Sequence, residues 1–223
     1  MSGIRPEAVL FDLDGTLVDT APDLVGALDD LMAEESRAAL PYATTRAVAS
    51  HGSNGLVSLG FPGIEGKEFE NLRQRFLDLY AGRIARRSRL FEGCEALLGE
   101  LERQGRPWGI VTNKPAFLTT PLLAALGLDL RAGCVVSGDT LAQRKPHPAP
   151  LLHAAALIRT DPERCLYVGD AERDIQSARA AGMPVLVARY GYLGPDDDPA
   201  NWAADGTIDD PLAVLAWLGL AHP

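Results

Sequence analysis

The sequence is poor in cysteine: it has three in 223 residues, and they stand far apart at Cys94, Cys134 and Cys165. There is no CxxC pair and no cysteine–histidine spacing typical of a zinc site, so no structural zinc is predicted. An odd number of widely spaced cysteines favours free thiols in a reducing compartment. We therefore predict a cytoplasmic protein without disulfide bonds.

Long hydrophobic runs are also absent from the sequence. No apolar segment approaches the roughly 20 residues that a membrane-spanning helix needs. The first apolar segment is interrupted by Asp12, Asp14 and Asp19, which is not the pattern of a signal peptide. A membrane is therefore not expected as a partner.

Positive charge is scarce relative to negative charge. The chain has 21 Lys and Arg against 30 Asp and Glu, which gives a formal net charge of -9. A net negative surface repels nucleic acid and anionic lipid. The densest basic cluster, Arg83 to Arg89, would spread around a solvated helix face. Nucleic acid is therefore not expected as a partner, and the sequence carries no signal for a particular oligomeric state.

Short apolar segments alternate with helical segments from about residue 92 onward. This alternation predicts a parallel sheet covered by helices on both faces. In such a sheet the functional groups gather at the carboxyl ends of the strands. Three predicted strands end in polar residues: Asp12 and Asp14 follow the first, Thr112 and Asn113 follow a second, and Asp170 follows a third.

The segment between the first strand and residue 90 has a different pattern. Apolar residues recur there at helical spacing, and a long helix is predicted over 67–86. We call residues 18–90 the helical block. The predicted fold class is α/β, with a Rossmann-like parallel sheet formed by 1–17 and 91–223 and an inserted helical cap formed by 18–90. A final helix is predicted over 211–218.

The opening strand ends abruptly in Asp12 and Asp14. Two carboxylates two residues apart can divide labour around a divalent metal, because coordination keeps one ionised while the other is free to move a proton. Mg²⁺ suits such a site, since it takes oxygen ligands and usually keeps water beside one or two carboxylates and a substrate phosphate. Asp170 is a candidate further ligand. Asp174, one helical turn later, is a candidate for holding metal-bound water or orienting Lys145.

A phosphate handled at this edge would need positive charge and hydrogen-bond donors on its oxygens. Thr112 and the amide of Asn113 are placed to donate. Lys145 precedes a proline, which biases its backbone toward an extended conformation. It is therefore a candidate for a fixed positive charge beside the phosphate.

Together these residues resemble the four motifs of the haloacid dehalogenase superfamily, whose phosphatases work through an aspartyl-phosphate. The resemblance covers nearly the whole chain, and four motifs in the right order on the right elements form a specific signal. The matching segments are Asp12-Leu13-Asp14-Gly15-Thr16, Thr112-Asn113, Lys145-Pro146, and Gly169-Asp170 with Asp174.

The resemblance implies a role for each of these residues. Asp12 would be the nucleophile, and Asp14 the general acid for the leaving alkoxide and then the base for water. Magnesium would be held by Asp12, Asp170 and the backbone carbonyl of Asp14. Lys145 belongs to the catalytic set as well, because it neutralises the phosphate. The residues expected to contact the phosphate are Gly15, Thr16, Thr112, Asn113 and Lys145.

Two further segments narrow the resemblance. The run Asp19-Thr20-Ala21-Pro22-Asp23 resembles phosphoglycolate phosphatases and their relatives, whereas the sugar phosphomutases of the superfamily tend to carry a histidine there. The segment Arg189-Tyr190-Gly191-Tyr192 resembles a branch that includes N-acetylmuramic acid 6-phosphate phosphatases. Within the predicted cap, Arg46 and His51 are candidates for contacting the substrate.

The sequence thus predicts a Mg²⁺-dependent phosphate-monoester hydrolase acting on a small phosphorylated metabolite, similar to phosphoglycolate phosphatases. The alternatives are a phosphatase for N-acetylmuramic acid 6-phosphate or another sugar phosphate, a sugar phosphomutase, and a non-enzymatic receiver domain that is phosphorylated on aspartate. Asp14 argues against the receiver, because it gives a phosphoenzyme its own route to hydrolysis. Dehalogenation is disfavoured, since displacing a halide leaves Asp14 without a purpose.

Overall fold

The computed structural model describes residues 5–221, and within them eight strands and nine α-helices form. No helix among these residues is both long and apolar enough to cross a membrane. The strands are β1 (Ala8–Phe11), β2 (Val18–Asp19), β3 (Arg89–Leu90), β4 (Trp108–Val111), β5 (Val135–Val136), β6 (Cys165–Gly169), β7 (Val185–Ala188) and β8 (Gly206–Ile208). The helices are α1 (Ala21–Glu34), α2 (Tyr42–Ala47), α3 (Gly52–Gly60), α4 (Gly66–Ala81), α5 (Cys94–Arg103), α6 (Ala116–Leu126), α7 (Ala149–Leu157), α8 (Glu172–Ala180) and α9 (Val214–Trp217).

Six strands form one parallel sheet in the order β5-β4-β1-β6-β7-β8. The first strand lies in the middle, where Phe11 is in register with Ile110 of β4 and with Val168 of β6. Because all six strands run the same way, the polar residues that follow these three positions meet at one edge of the sheet. The predicted α/β fold class is confirmed.

Both faces of the sheet are buried, as continuous apolar strands require. Val9 and Phe11 belong to an apolar cluster on the side that carries α5, α6 and α9, whereas Ala8 and Leu10 belong to a second cluster on the side that carries α7 and α8. This alternation follows from the two-residue period of a strand. The sheet is therefore held between two helical layers.

A third apolar cluster includes Leu28 of α1, Leu56 of α3 and Phe76 of α4, and it is joined by Leu118 of α6 and by Tyr192 from outside the helical block. The chain leaves the main sheet through β2 and returns through β3, and these two short strands pair antiparallel. Next to this pair, the fully buried carboxylate of Asp23 accepts hydrogen bonds from the backbone N–H groups of Arg87 and Ser88, at 2.8 to 3.0 Å. The entry and the exit of the block are thus tied together, while its boundaries as a domain stay a prediction.

Two predicted helices differ from the structure, and α6 ends in a glycine cap. Gly127 follows α6 in the left-handed region, with φ of 68°, as expected for a glycine cap. The long helix predicted over 67–86 ends at Ala81, because the chain must turn back to place Arg87 against Asp23. The helix predicted over 211–218 divides into a 3₁₀ turn at Pro211–Ala213 and the short α9.

The three cysteines are free and buried. Burial raises the pKa of Cys94 and of Cys165 to about 12 and that of Cys134 to about 11. Because the thiolate is the reactive form, we expect the native protein near pH 8 to react with Ellman's reagent on the order of 100-fold more slowly than the unfolded chain. Thiol titration with and without guanidinium measures this, and fast labelling of any one cysteine in the native protein would contradict it.

Candidate active site

The polar ends of β1, β4 and β6 open into a cavity of about 730 Å³ between the sheet edge and the helical block. From the sheet edge and its loops it is lined by Asp12, Asp14, Thr112, Asn113, Lys114, Lys145 and Arg173. From the helical block it is lined by Ser50, His51, Ser53, Asn54, Glu70, Arg73, Phe76 and Tyr80.

Asp12 lies at the centre of this edge and is buried. Its Oδ1 accepts a hydrogen bond from the backbone N–H of Leu13 at 2.7 Å and lies 2.9 Å from Nζ of Lys145. Burial and then the negative charge of Asp174 raise the pKa of Asp12 to about 7, although Lys145 opposes the rise. The positive charge of Lys145 is therefore too small an influence to keep the pKa of Asp12 at its usual value.

Lys145 is buried and its ammonium is fully surrounded by acceptors. Nζ donates to the carbonyl of Val111 at 2.9 Å, to the hydroxyl of Tyr167 at 2.9 Å and to Oδ1 of Asp174 at 2.7 Å. The side-chain amide of Asn113 fixes its backbone, donating to the Lys145 carbonyl at 2.9 Å and accepting from its N–H at 3.0 Å. Asn113 thus positions Lys145, and its predicted contact with phosphate through its own backbone stays a prediction.

Asp174 is fully buried and acts as the counter-charge of Lys145. Its Oδ2 accepts from the backbone N–H of Ala171 at 3.1 Å. Burial alone would raise its pKa, but Lys145 and then Arg173 hold it below the usual value. Of the two roles weighed from the sequence, this geometry supports the one that orients Lys145.

Asp170 is buried beside Asp12, and its Oδ1 accepts a long hydrogen bond from the hydroxyl of Thr16 at 3.5 Å. Its Oδ2 accepts from the hydroxyl of Ser50 at 2.7 Å and from the backbone N–H of Tyr192 at 2.9 Å. Burial and then Asp174 raise the pKa of Asp170 to about 6. Ser50 links the helical block directly to this carboxylate, a contact that the sequence pattern did not indicate.

The carboxylates at this edge fit a divalent cation. Asp12, Asp170 and Asp174 each offer an oxygen, and these atoms lie within 4.8 Å of one another. Burial and then the charge of Asp174 raise the pKa of both Asp12 and Asp170, so a cation bound between them would favour their ionised forms. Carboxylate oxygens are the ligands that Mg²⁺ prefers. Both oxygens of Asp174 are taken, Oδ1 by Lys145 and Oδ2 by a backbone N–H. The partners of Asp12 described above all contact its Oδ1, and Ser50 and Tyr192 contact only Oδ2 of Asp170. Asp12 and Asp170 are therefore the side chains best placed to hold the cation.

Gly15 and Thr16 do not line the cavity. The N–H of Gly15 donates to the carbonyl of Val18, and the N–H of Thr16 donates to the carbonyl of Leu13. Gly15 has φ of 84°, and a Cβ there would collide with the carboxylate of Asp170. The predicted contact of both residues with phosphate gains no support from this placement. They instead allow Asp170 to approach the turn after β1.

Asp14 points into the cavity and is paired with a residue that the sequence analysis missed, Lys114. Its Oδ1 accepts from the hydroxyl of Thr20 at 2.5 Å and from Nζ of Lys114 at 2.8 Å. Burial lowers the pKa of Lys114, but the carboxylate of Asp14 more than reverses this, so the ammonium is retained. The position of Lys114 next to Thr112 and Asn113, at a strand end, was the signal that could have identified it.

The two cap candidates have different surroundings. His51 lines the cavity, and its contact with substrate stays a prediction. Arg46 does not line it. Its guanidinium lies 4.9 Å from the ring centroid of Tyr192 and donates to the carbonyls of Gly191 and Tyr190 at 3.1 and 3.4 Å. The structure therefore places Arg46 in a contact between the helical block and the sheet, and gives its predicted substrate contact no support.

The hydroxyl of Tyr192 holds the start of α1. It accepts from the backbone N–H groups of Thr20 at 2.6 Å and Ala21 at 2.9 Å, and it donates to Oδ1 of Asp19 at 2.8 Å. Tyr192→Phe leaves these buried groups without partners, so we expect a loss of about 1–3 kcal/mol of unfolding free energy. Chemical denaturation measures it, with Tyr42→Phe at an exposed position as the control. Equal stability of the two variants would show that the hydroxyl contributes nothing.

The comparisons with known proteins agree with this geometry. A family model described as haloacid dehalogenase-like hydrolase matches residues 6–182. The chain is 45% identical over 218 residues to a phosphoglycolate phosphatase of Xanthomonas campestris pv. campestris, covering 98% of both chains. It is 41% identical over 216 residues to an N-acetylmuramic acid 6-phosphate phosphatase of Pseudomonas aeruginosa, covering 96% of each. The crystal structure of a predicted phosphoglycolate phosphatase from Haemophilus somnus has a TM-score of 0.85 at 27% identity, covering 96% of this chain and 99% of that one.

Proposed function

The chain belongs to the haloacid dehalogenase-like hydrolase family, and from this we propose how it works as a phosphatase and on which ester. It is an enzyme that hydrolyses phosphate esters, like the relatives that it matches over nearly their full length. The observation that carries the proposed mechanism is the buried pair of Asp12 and Lys145 at the floor of the cavity, 2.9 Å apart.

In the proposed reaction Asp12 attacks the phosphorus. A bond forms between a carboxylate oxygen of Asp12 and phosphorus, the bond from phosphorus to the ester oxygen breaks, and Asp14 gives its proton to the leaving oxygen. Water then attacks the same phosphorus while Asp14 takes up its proton, and the bond to Asp12 breaks. Lys145 lies against Asp12 throughout, so the phosphoryl group would be transferred next to a fixed positive charge.

A bound Mg²⁺ would be held by the carboxylates of Asp12 and Asp170, with the backbone carbonyl of Asp14 as the further ligand expected from the family, and it would supply positive charge to the phosphate oxygens. Thr112 lines the cavity beside these carboxylates. We propose that its hydroxyl donates to the phosphate.

Phosphoglycolate is the proposed substrate, because relatives with this name are 45% identical to the chain over 98% of its length. A second candidate is N-acetylmuramic acid 6-phosphate. A cavity of about 730 Å³ supports it, since this volume is large for a two-carbon acid and ordinary for a sugar-sized ligand.

We further propose that residues 18–90 act as a cap that excludes water from the site. The apolar cluster that is formed mainly by the helical block, and the attachment of the block through β2 and β3, support this assignment. A cytoplasmic location belongs to the same proposal, since three free thiols suit a reducing compartment.

Release of inorganic phosphate from three esters tests the proposal: p-nitrophenyl phosphate, phosphoglycolate and N-acetylmuramic acid 6-phosphate, each with Mg²⁺ and with a chelator. We expect hydrolysis that depends on Mg²⁺ and is fastest with phosphoglycolate. Activity that persists in chelator would reject the role of the metal. Isomerised sugar phosphate in place of free phosphate would indicate a mutase, and a phosphoaspartate that lasts many minutes would indicate a receiver.

A further inference from the structure

The proposed mechanism assigns no role to Lys114. Its ammonium is almost fully buried, with 6% of the side chain exposed, and it lies 2.8 Å from Oδ1 of Asp14. Thr20 already satisfies the same oxygen with a hydrogen bond. Burying a lysine is costly and its charge needs a partner. As long as Lys114 binds Asp14, it occupies the carboxylate that must exchange a proton with the leaving group.

Tyr80, on α4 of the helical block, supplies a second observation at the same place. Its ring centroid lies 4.6 Å from Nζ of Lys114, and both residues line the cavity. The Tyr80 side chain is buried, yet its hydroxyl has no hydrogen-bond partner among residues 5–221. A buried hydroxyl without a partner costs about 1–3 kcal/mol, which a ligand that supplies an acceptor would recover.

We propose that Lys114 and Tyr80 bind a carboxylate on the leaving group of the substrate, next to the ester oxygen. The inference rests on the proposed function and adds to it a substrate class: phosphate esters of 2-hydroxy acids, of which phosphoglycolate is the smallest. When the carboxylate of the substrate draws Lys114 away, Asp14 keeps its hydrogen bond from the Thr20 hydroxyl and loses the contact with the ammonium. Asp14 is then free to transfer its proton. Recognition of the acid is thereby coupled to the proton-transfer group.

The distances support this placement. Asp14 must lie within about 3.2 Å of the ester oxygen to transfer a proton, and Lys114 lies 2.8 Å from Asp14. The ammonium is therefore at most about 6 Å from the ester oxygen if Oδ1 of Asp14 transfers the proton, and at most about 8 Å if Oδ2 does. In a phosphorylated 2-hydroxy acid the carboxylate oxygens lie roughly 3–4 Å from that oxygen, from ordinary bond lengths. A sugar 6-phosphate whose acid group lies across the ring cannot place it there.

The site is built from both parts of the molecule. Lys114 follows β4 at the sheet edge, whereas Tyr80 belongs to α4. A carboxylate held between them would contact the core and the helical block together. The remaining cavity volume accommodates a side chain on the 2-carbon, so the class is wider than phosphoglycolate.

Two phosphonates that cannot be hydrolysed separate the carboxylate from the phosphate. 3-Phosphonopropionate carries the carboxylate, and propylphosphonate is its counterpart without it. Calorimetry on the full-length wild-type protein in saturating Mg²⁺ should show tighter binding of 3-phosphonopropionate. In Lys114→Met we expect this preference to fall about 30-fold or more, as for a buried charge pair. The exposed Lys67→Met should keep it.

Tyr80→Phe separates a ligand contact from a structural one. The hydroxyl has no partner in the free protein, so its removal should leave the Tm unchanged or higher while the preference for 3-phosphonopropionate falls about 3- to 10-fold. A lower Tm with unchanged preference would assign the hydroxyl to folding and remove Tyr80 from the proposal.

The outcomes separate the inference from the proposed function. Equal affinity of the wild type for both phosphonates, or an unchanged preference in Lys114→Met, overturns the inference even if every ester is hydrolysed. If neither p-nitrophenyl phosphate nor any other ester is hydrolysed, the proposed function fails, while the binding preference still decides whether Lys114 recognises the carboxylate. The ratio of kcat/KM for phosphoglycolate over p-nitrophenyl phosphate should fall in Lys114→Met along with the binding preference.

Discussion

Asp12→Asn is expected to lower kcat for phosphate release by a factor on the order of 10⁴ or more, because the amide cannot form the bond to phosphorus that the proposed mechanism requires. Purified protein in saturating Mg²⁺ should show this with p-nitrophenyl phosphate. Asp129→Asn, which removes an exposed carboxylate, is the matched control. Residual activity within tenfold of the wild type would remove Asp12 as the nucleophile.

The same variant should be more stable than the wild type in metal-free buffer. Burial and then Asp174 raise the pKa of Asp12 from 3.8 to about 7. Between these values the folded protein binds more protons than the unfolded chain, so the wild type loses stability as pH rises through this window, and the loss is complete above it. The Asp12→Asn variant does not lose stability in this way, because its amide does not titrate.

The gain in Tm for Asp12→Asn should therefore be small near pH 4 and largest above pH 7. Differential scanning calorimetry in chelator at several pH values measures it. A Tm difference that does not change with pH would contradict the raised pKa of Asp12, because the charge of its carboxylate would then cost the folded protein no stability. Added Mg²⁺ should narrow the difference by stabilising the wild type, because a ligand that binds the folded state raises its Tm.

Lys145→Met should also abolish turnover, but with the opposite effect on stability. The substitution keeps the length of the side chain and removes the charge that Asp12 and Asp174 share, at 2.9 and 2.7 Å. Removing one partner of a buried ion pair leaves the other charge uncompensated and costs about 3–5 kcal/mol. Denaturant unfolding in metal-free buffer measures this cost, with the exposed Lys67→Met as the control.

A double variant makes this prediction sharper. Lys145→Met with Asp174→Asn removes both members of the pair, so stability should recover most of the loss while activity stays absent. If the double variant is no more stable than Lys145→Met, the ammonium stabilises the fold mainly through its contacts with Val111 and Tyr167. Recovery of turnover would remove Lys145 from the catalytic set.

Much of the candidate site could be predicted because it follows from strand order. Asp12, Thr112 and Asp170 each come just after an apolar segment with the length of a strand. Parallel strands bring their carboxyl ends to one edge, so these residues meet whatever the details of packing. The sheet confirms this, with β4 and β6 on either side of β1.

The hydrogen bonds within the turn after β1 could not be predicted in the same way. Gly15 and Thr16 lie in the motif that contains Asp12, and the resemblance implied that both residues contact the phosphate. The turn after β1 instead uses their amides within itself, at Val18 and Leu13. Hydrogen bonding inside a short turn depends on its dihedral angles, which a motif does not specify.

The sequence by itself determined the α/β fold class, the helical block and the line of polar residues at the strand ends, because each of these depends on local periodicity and on the direction of the chain. Only the tertiary structure decided that Lys114 pairs with Asp14, that Ser50 and Tyr192 hold Asp170, and that Arg46 faces away from the cavity. These contacts join residues from 22 positions apart, between Asp170 and Tyr192, to 145 positions apart, between Arg46 and Gly191. Their geometry follows from how two apolar cores pack against each other, which no local pattern records.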